Sequence, residues 1–275
     1  MVKSSCRFGL RTLASVSLFV ATMVVAFTWL GLSSGIVRAQ DEEPQFTTEF
    51  RLEDCKFDAK GENPYFILKP GYQLVLEGDD DGEAVRVEIS VLHENEKISL
   101  PDIGMVKTRV VEERESKDDK LVEVSRNFFV ICGKRNDIVY LGEEVDICED
   151  GLVPVGNNFL CNGGEPSHAG AWRAGTPDDD GLAEPGIIMP GTFLLGSRYF
   201  QEKADGIALD RAEHVEMGLE VTTDAGTFEN CVRVIETTPL EPGAESEKIY
   251  CPEVGLVVDN EVELVAFGFD VIGDD

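Results

Sequence analysis

From Asn63 onwards this chain is written in a period of two, and that rhythm limits its fold more than any other feature. Ala84 to Leu92 puts Val85, Val87, Ile89 and Val91 on one side and Arg86, Glu88 and Ser90 on the other, the pattern of a half-buried strand. Val106 to Glu112 follows, then Leu121 to Cys132, where Val122, Val124, Phe128, Val130 and Cys132 share one parity. Lys117-Asp118-Asp119-Lys120 is the turn between those two, and Asp79 to Glu83 separates an earlier pair. Further strands read from Ile138 to Cys148, at Ile187, from Thr192 to Gln201 and from Val221 to the end. Asp259-Asn260 makes a last hairpin turn between Gly255–Val258 and Val262–Phe267. Ile207 to Met217 fits one helical face about as well as a strand. No repeat, heptad run or βαβ alternation interrupts the series. Successive strands with short turns give an all-β chain with few helices, an antiparallel meander curled into an open or half barrel, or alternatively a β-sandwich.

The start of the chain sets the compartment. Lys3, Arg7 and Arg11 precede an uncharged run from Thr12 to Val37, which closes on Val37-Arg38-Ala39. A basic region, an apolar region and small residues before a cut at Gln40 form an export signal, and the small, helix-poor stretch from Gly31 to Ala39 suits cleavage. The run is 26 residues long, enough to span a bilayer, so an uncleaved N-terminal anchor is the alternative reading. Either way the remainder is expected in the periplasm, at the cell surface or outside the cell, where thiols oxidise. Cys6 precedes the apolar run and is therefore not a lipoprotein cysteine.

Six cysteines remain beyond residue 40, consistent with three disulfides. None has the two-residue spacing of a zinc ribbon or a redox motif. One pairing follows from strand geometry. Gly226 to Thr238 reads as a strand, Pro239 to Ala244 as a turn and Ser246 to Pro252 as the return. A hairpin centred on Glu241 sets Cys231 opposite Cys251, within disulfide reach. Such a bond is worth roughly 3 kcal/mol through loop entropy. Cys148 and Cys161 flank a Gly/Asn-rich stretch as a local staple, which leaves Cys55 with Cys132.

Residues 41–275 carry 53 acidic and 20 basic side chains. A field of that sign repels nucleic acid and anionic lipid headgroups, favours solubility and attracts cations. Asp79-Asp80-Asp81-Gly82-Glu83 and Asp178-Asp179-Asp180-Gly181 offer carboxylates on tight turns as candidate cation sites, without the alternating spacing of a twelve-residue calcium loop. No cofactor and no specific metal is expected; calcium is the one ion to consider. His93, His168 and His214 are too far apart for metal ligation and read as exposed structural residues. No nucleophile elbow, triad or phosphate loop is present, and no acid pair stands out as a catalytic couple. Trp172, among Gly and Ala, and the aromatics Tyr199, Phe228 and Tyr250 are candidate pocket residues.

Several motifs carry a resemblance. Asn63-Pro64-Tyr65-Phe66-x-Leu68-x-Pro70-Gly71-Tyr72 opens the domain, and Pro185-Gly186-Ile187-Ile188-Met189-Pro190-Gly191 and Tyr199-x-Gln201-Glu202 occupy its middle. Ala225-Gly226-Thr227-Phe228-x-x-Cys231-x-x-Val234 and Tyr250-x-Pro252-x-Val254-Gly255-Leu256-Val257 close it. Over residues 46–267 these resemble a family of exported bacterial proteins of unknown function. The last two motifs, residues 222–258, also resemble the C-terminal hairpin of TapB-like proteins, similar in fold to the LolA/LppX carriers. That resemblance implies a sheet curled into an open barrel around an apolar cavity. The residues read the same way: Ala225-Gly226 makes the turn, Phe228, Val232 and Val234 point inward, and Tyr250 and Val254 lie opposite on the same face. The resemblance carries over no catalytic or binding residue.

The organisation expected is a signal or anchor over 1–40, an acidic lead-in over 41–62 fastened by Cys55, one β domain over 63–268 with a loop insertion at 149–185, and an acidic tail over 269–275. The function expected is a non-enzymatic exported binding or structural module, one that can hold a hydrophobic small ligand in its barrel. A carboxylate-based hydrolase and a calcium-dependent surface module are the alternatives. No partner, nucleic acid or membrane is implied beyond the N-terminal segment.

Overall fold

The structure, a computed structural model, describes residues 44–273 apart from 157, 162 and 163. The export segment 1–40 lies outside the described residues, as do the first residues of the lead-in. Among the described residues no helix is long and apolar enough to cross a membrane, and the secondary structure is β throughout apart from one short 3-10 turn, Leu52–Asp54.

Thirteen strands make the wall: β1 (Tyr72–Asp80), β2 (Glu83–Val91), β3 (Arg109–Lys117), β4 (Lys120–Cys132), β5 (Asp137–Ile147), β6 (Glu184–Met189), β7 (Arg198–Phe200), β8 (Glu202–Lys203), β9 (Arg211–Thr223), β10 (Gly226–Thr237), β11 (Glu245–Cys251), β12 (Gly255–Asp259) and β13 (Val262–Phe269). Their order in the sheet is β7-β9-β10-β11-β12-β13-β1-β2-β3-β4-β5-β6-β8, and every pairing is antiparallel. The last strand returns to the first, Leu264 facing Leu76, as an up-and-down barrel requires. The two ends of the sheet, β7 and β8, are consecutive in the chain and meet at Gln201. The barrel is therefore nearly closed, with one unsealed seam across which the backbone itself passes. It is not a half barrel or a sandwich of two sheets.

The seam is tight. Gln201 N donates to the Asp210 carbonyl at 2.8 Å, and an added Cβ at Gly186 would stand 2.3 Å from the Gln201 carbonyl oxygen. Only glycine lets β6 come that near. Inside the wall, Leu68, Leu76, Ile138, Leu141 and Leu264 are fully buried, each side chain worth about 1.5–3 kcal/mol of removed apolar surface.

Several expected boundaries move. The strand expected over Val106–Glu112 breaks at Thr108, whose N–H and hydroxyl both donate to the Glu96 carbonyl. Its first half pairs with Lys97–Leu100 as a separate hairpin, and β3 starts at Arg109. Of the strand expected from Thr192 to Gln201, only Arg198–Phe200 is paired with β9. Phe193 turns into the core while Leu194 and Leu195 stay exposed. The ambiguous segment resolves as a strand from Arg211. The 149–185 insertion contains a hairpin, Leu152–Val155 with Asn158–Cys161, and a short strand, Trp172–Arg173, laid on β5.

The Val124, Phe128, Val130 parity of β4 faces outward, not into the barrel. It is apolar because the outside of β4 is covered. The insertion hairpin packs there through Leu152 and Phe159 against Val124, and Phe57 of the lead-in pairs with Cys132. Two disulfides fasten these outer segments, Cys55–Cys132 for the lead-in and Cys148–Cys161 for the insertion, and a third, Cys231–Cys251, joins the neighbouring strands β10 and β11 with Cα atoms 4.2 Å apart.

Candidate functional site

The barrel interior has two unlike walls, set by register. Side chains at paired positions share a face, so an inward row can be traced across the sheet: Leu74 beside Ile89, Ile89 beside Glu113, Glu113 beside Ser125, Ser125 beside Val145. The row turns polar at β3. On the opposite side Val234 lies beside Lys248, and Lys248 beside Asp259. One wall is hydrocarbon, the other largely carboxyl.

Between them is a cavity of about 210 Å³. Tyr72, Leu74, Ile89, Val91, Phe129 and Leu256 form its apolar side, and Glu113, Glu202, Asp210, Glu236, Lys248 and Tyr250 its polar side. A second cavity of about 240 Å³ shares Tyr140, Glu202 and Asp210 with the first and is rimmed by Ile207, Leu240 and Glu241. Those three rim residues are exposed, which makes this end the mouth.

Burial decides the protonation of the polar side. It raises the Glu113 carboxyl to about 7, opposed by Lys248, and it raises Glu143, on the second cavity, to about 7 as well. It holds Glu202, which is 3% exposed, well above the ordinary carboxylate range, with Asp210 adding to the shift. Asp210 and Glu236 are raised for the same reason. Removing a carboxylate from water favours its neutral form. Burial pulls the Lys248 ammonium down, but Glu236, Asp259 and Glu113 outweigh it, and the net shift is upward. Lys248 is therefore charged, and Asp259 holds it at 2.5 Å.

Hydrogen bonds fix part of this lining. Asp210 N donates to Glu202 Oε1 at 2.8 Å, and Gln201 Nε2 donates to Glu236 Oε1 at 2.6 Å. Tyr140 donates to Asn127 Oδ1 at 2.5 Å. Arg109, buried, donates to the carbonyls of Ala59, Leu92, His93 and Glu94, which ties the lead-in to the barrel.

The structure scatters the residues singled out from sequence. Tyr250 lines the first cavity and Trp172 the second, where its ring meets Tyr140 edge-on at 5.1 Å. Phe228 is half-buried and packs edge-on against Phe267 at 5.7 Å, outside both cavity linings. Tyr199 is buried against His214 and lines neither cavity. His214 is not an exposed residue but 1% exposed, stacked on Phe193 at 3.8 Å. The Leu194 carbonyl can only accept, so Nδ1 of His214 carries the proton and Nε2 takes the Tyr199 hydroxyl. Burial drops this imidazole to about 4, so it is neutral.

The candidate cation residues sit on turns. Asp79 Oδ1 accepts from Gly82 N at 2.8 Å, Asp80 lies 3.7 Å from Lys117, and Asp81 and Glu83 are exposed. Asp178 accepts from Asp180 N and Asp205 N, while Asp179 N donates to the Asp205 carbonyl and Asp180 is exposed. Among the described residues no group of three or more His, Cys, Asp or Glu side chains is arranged to hold a metal ion.

No protein-family model matches this chain, and no curated protein matches it. Among solved structures, that of a "putative lipoprotein" from Parabacteroides distasonis aligns over 76% of this chain and 100% of its own, at 12% identity and a TM-score of 0.29. Overlap at that level transfers neither fold nor role.

Proposed function

We propose that this chain is an exported, non-enzymatic binding module that holds one small molecule with an apolar body inside its barrel. The observation behind it is the 210 Å³ cavity, with hydrocarbon on one side and a mouth past Tyr140, Glu202 and Asp210. About eight strands make an interior that side chains fill, and sixteen or more an open channel; the thirteen strands of this wall lie between, and β3, β10 and β11 give inward positions to Glu113, Glu236 and Lys248. Concave apolar lining with a few convergent polar groups is the ordinary form of a ligand site. The three disulfides suit a protein that works outside the cytoplasm.

The test is native mass spectrometry of the full chain purified from its own host, with a titration by the neutral probe 1-octanol. The expected results are a small adduct lost on denaturation and saturation by the alcohol near one equivalent. Bare protein mass together with no uptake of octanol contradicts the reading.

A further inference from the structure

The polar side of the cavity has more acid than its own cation can answer. Glu113, Glu202, Asp210 and Glu236 line it with Lys248, and Lys248 is already held by Asp259 at 2.5 Å. Glu236 is 3.8 Å from the same ammonium and is otherwise bound by Gln201. No described residue hydrogen-bonds the Glu113 carboxyl.

An independent observation points the same way. Tyr250 is 6% exposed and lines the cavity; no described residue hydrogen-bonds its phenolic oxygen, and that oxygen is not one of the sealed, unpaired polar atoms of the fold, so it is open to the cavity. Buried hydroxyls are paired as a rule, and one left unpaired inside a cavity marks a place for a ligand atom. Glu113, Glu236 and Lys248 line the same cavity.

We infer that the ligand is an organic cation: an amphiphilic amine whose ammonium head lies between Glu113 and Tyr250 and whose apolar body lies along Leu74, Ile89 and Val91. This rests on the cavity reading above and adds the chemistry of the head. An ammonium brings N–H donors to a carboxylate and a phenolic oxygen that have none, and charge-assisted bonds of this kind are the strong ones. A carboxylate head would add one more acid to a side whose ammonium, Lys248, is already taken by Asp259. A bare metal ion would leave the hydrocarbon side unused. The head also displaces protons, because Glu113 faces Lys248, Asp259, Glu143 and Glu123 and ionises more readily beside a cation.

The experiment is isothermal titration of the full, oxidised chain with three probes of one length: octylammonium, 1-octanol and octanoate. Octylammonium is expected to bind about tenfold or more tightly than octanol, with octanoate weakest. Its affinity rises between about pH 6 and about pH 8 as Glu113 gives up its proton. Glu113→Gln is expected to bring octylammonium within about threefold of octanol, and Tyr250→Phe to weaken octylammonium alone by about threefold. The exposed Asp80→Asn leaves all three values unchanged, which separates the site from general attraction to an acidic surface. Equal binding of octanol and octylammonium, or an amine preference that survives both Glu113→Gln and Tyr250→Phe, overturns the assignment of the head while leaving the cavity reading intact. Binding of none of the three overturns both.

Discussion

The two walls of the barrel are built by the same alternation and do opposite things. On β1 and β2 the inward residues are Leu74, Leu76, Val87 and Ile89, and they bury hydrocarbon as an antiparallel sheet ordinarily does. On β3 beside them, and on β10 and β11 across the interior, the inward positions go to Glu113, Glu236 and Lys248. The first wall adds stability through removed surface. The second spends it, because each buried carboxyl either keeps a proton against its ordinary preference or leans on one lysine. On the reading proposed above, the second wall serves the ligand.

The sharpest way to break the contrast is Lys248→Met. With the ammonium gone, Glu113 and Glu236 lose the cation facing them and Asp259 loses its ion pair; the expected loss is about 3–5 kcal/mol at about pH 8, shrinking as pH falls through about 7 and Glu113 takes up its proton. Denaturant unfolding on either side of that pH measures it. On the apolar wall, Leu76→Ala leaves a void at a fully buried site; the expected cost is about 3 kcal/mol and independent of pH. A pH-dependent Leu76→Ala, or a pH-independent Lys248→Met, erases the distinction between the walls.

Glu113→Gln sharpens it further. The folded-state carboxyl sits at about 7, above its unfolded value, so the folded protein binds the extra proton. Its contribution is complete below about pH 4.5 and is lost as pH rises through about 7, by at most roughly 3 kcal/mol. The glutamine variant is expected to flatten that fall in unfolding free energy. The smallest effect is expected at the surface, where Asp80→Asn alters stability by less than about 0.5 kcal/mol.

Much of the wall was legible because the period-two pattern is strong where one face is apolar. Val85 to Val91 reads as a strand and is one, and the 231–251 bridge follows from the Glu241-centred hairpin. The carboxyl wall was hidden for the same reason. Glu113 and Glu236 look like outward residues in a strand, and only the register, with Glu113 beside Ile89, turns them inward. The Val124–Phe128–Val130 stripe reads as one face, but which face it is was not legible, since the hairpin that covers it comes from the 149–185 insertion. Gln201 and Glu202 stood out as part of a motif, but their place at the seam depends on β7 and β8 being the two ends of one sheet. His214 gave no signal at all; its burial comes from Phe193, in the loop before β7, and Tyr199, in β7 itself.

The most direct measurement is an NMR titration of the full chain with octylammonium, following side-chain methyl and carboxyl carbons together. A single amphiphile site across two unlike walls predicts that the Leu74, Ile89 and Val91 methyls and the Glu113 carboxyl shift along one saturation curve. Shifts confined to the exposed Leu194, Leu195 and Met217, or a Glu113 carboxyl that moves without the methyls, contradict it.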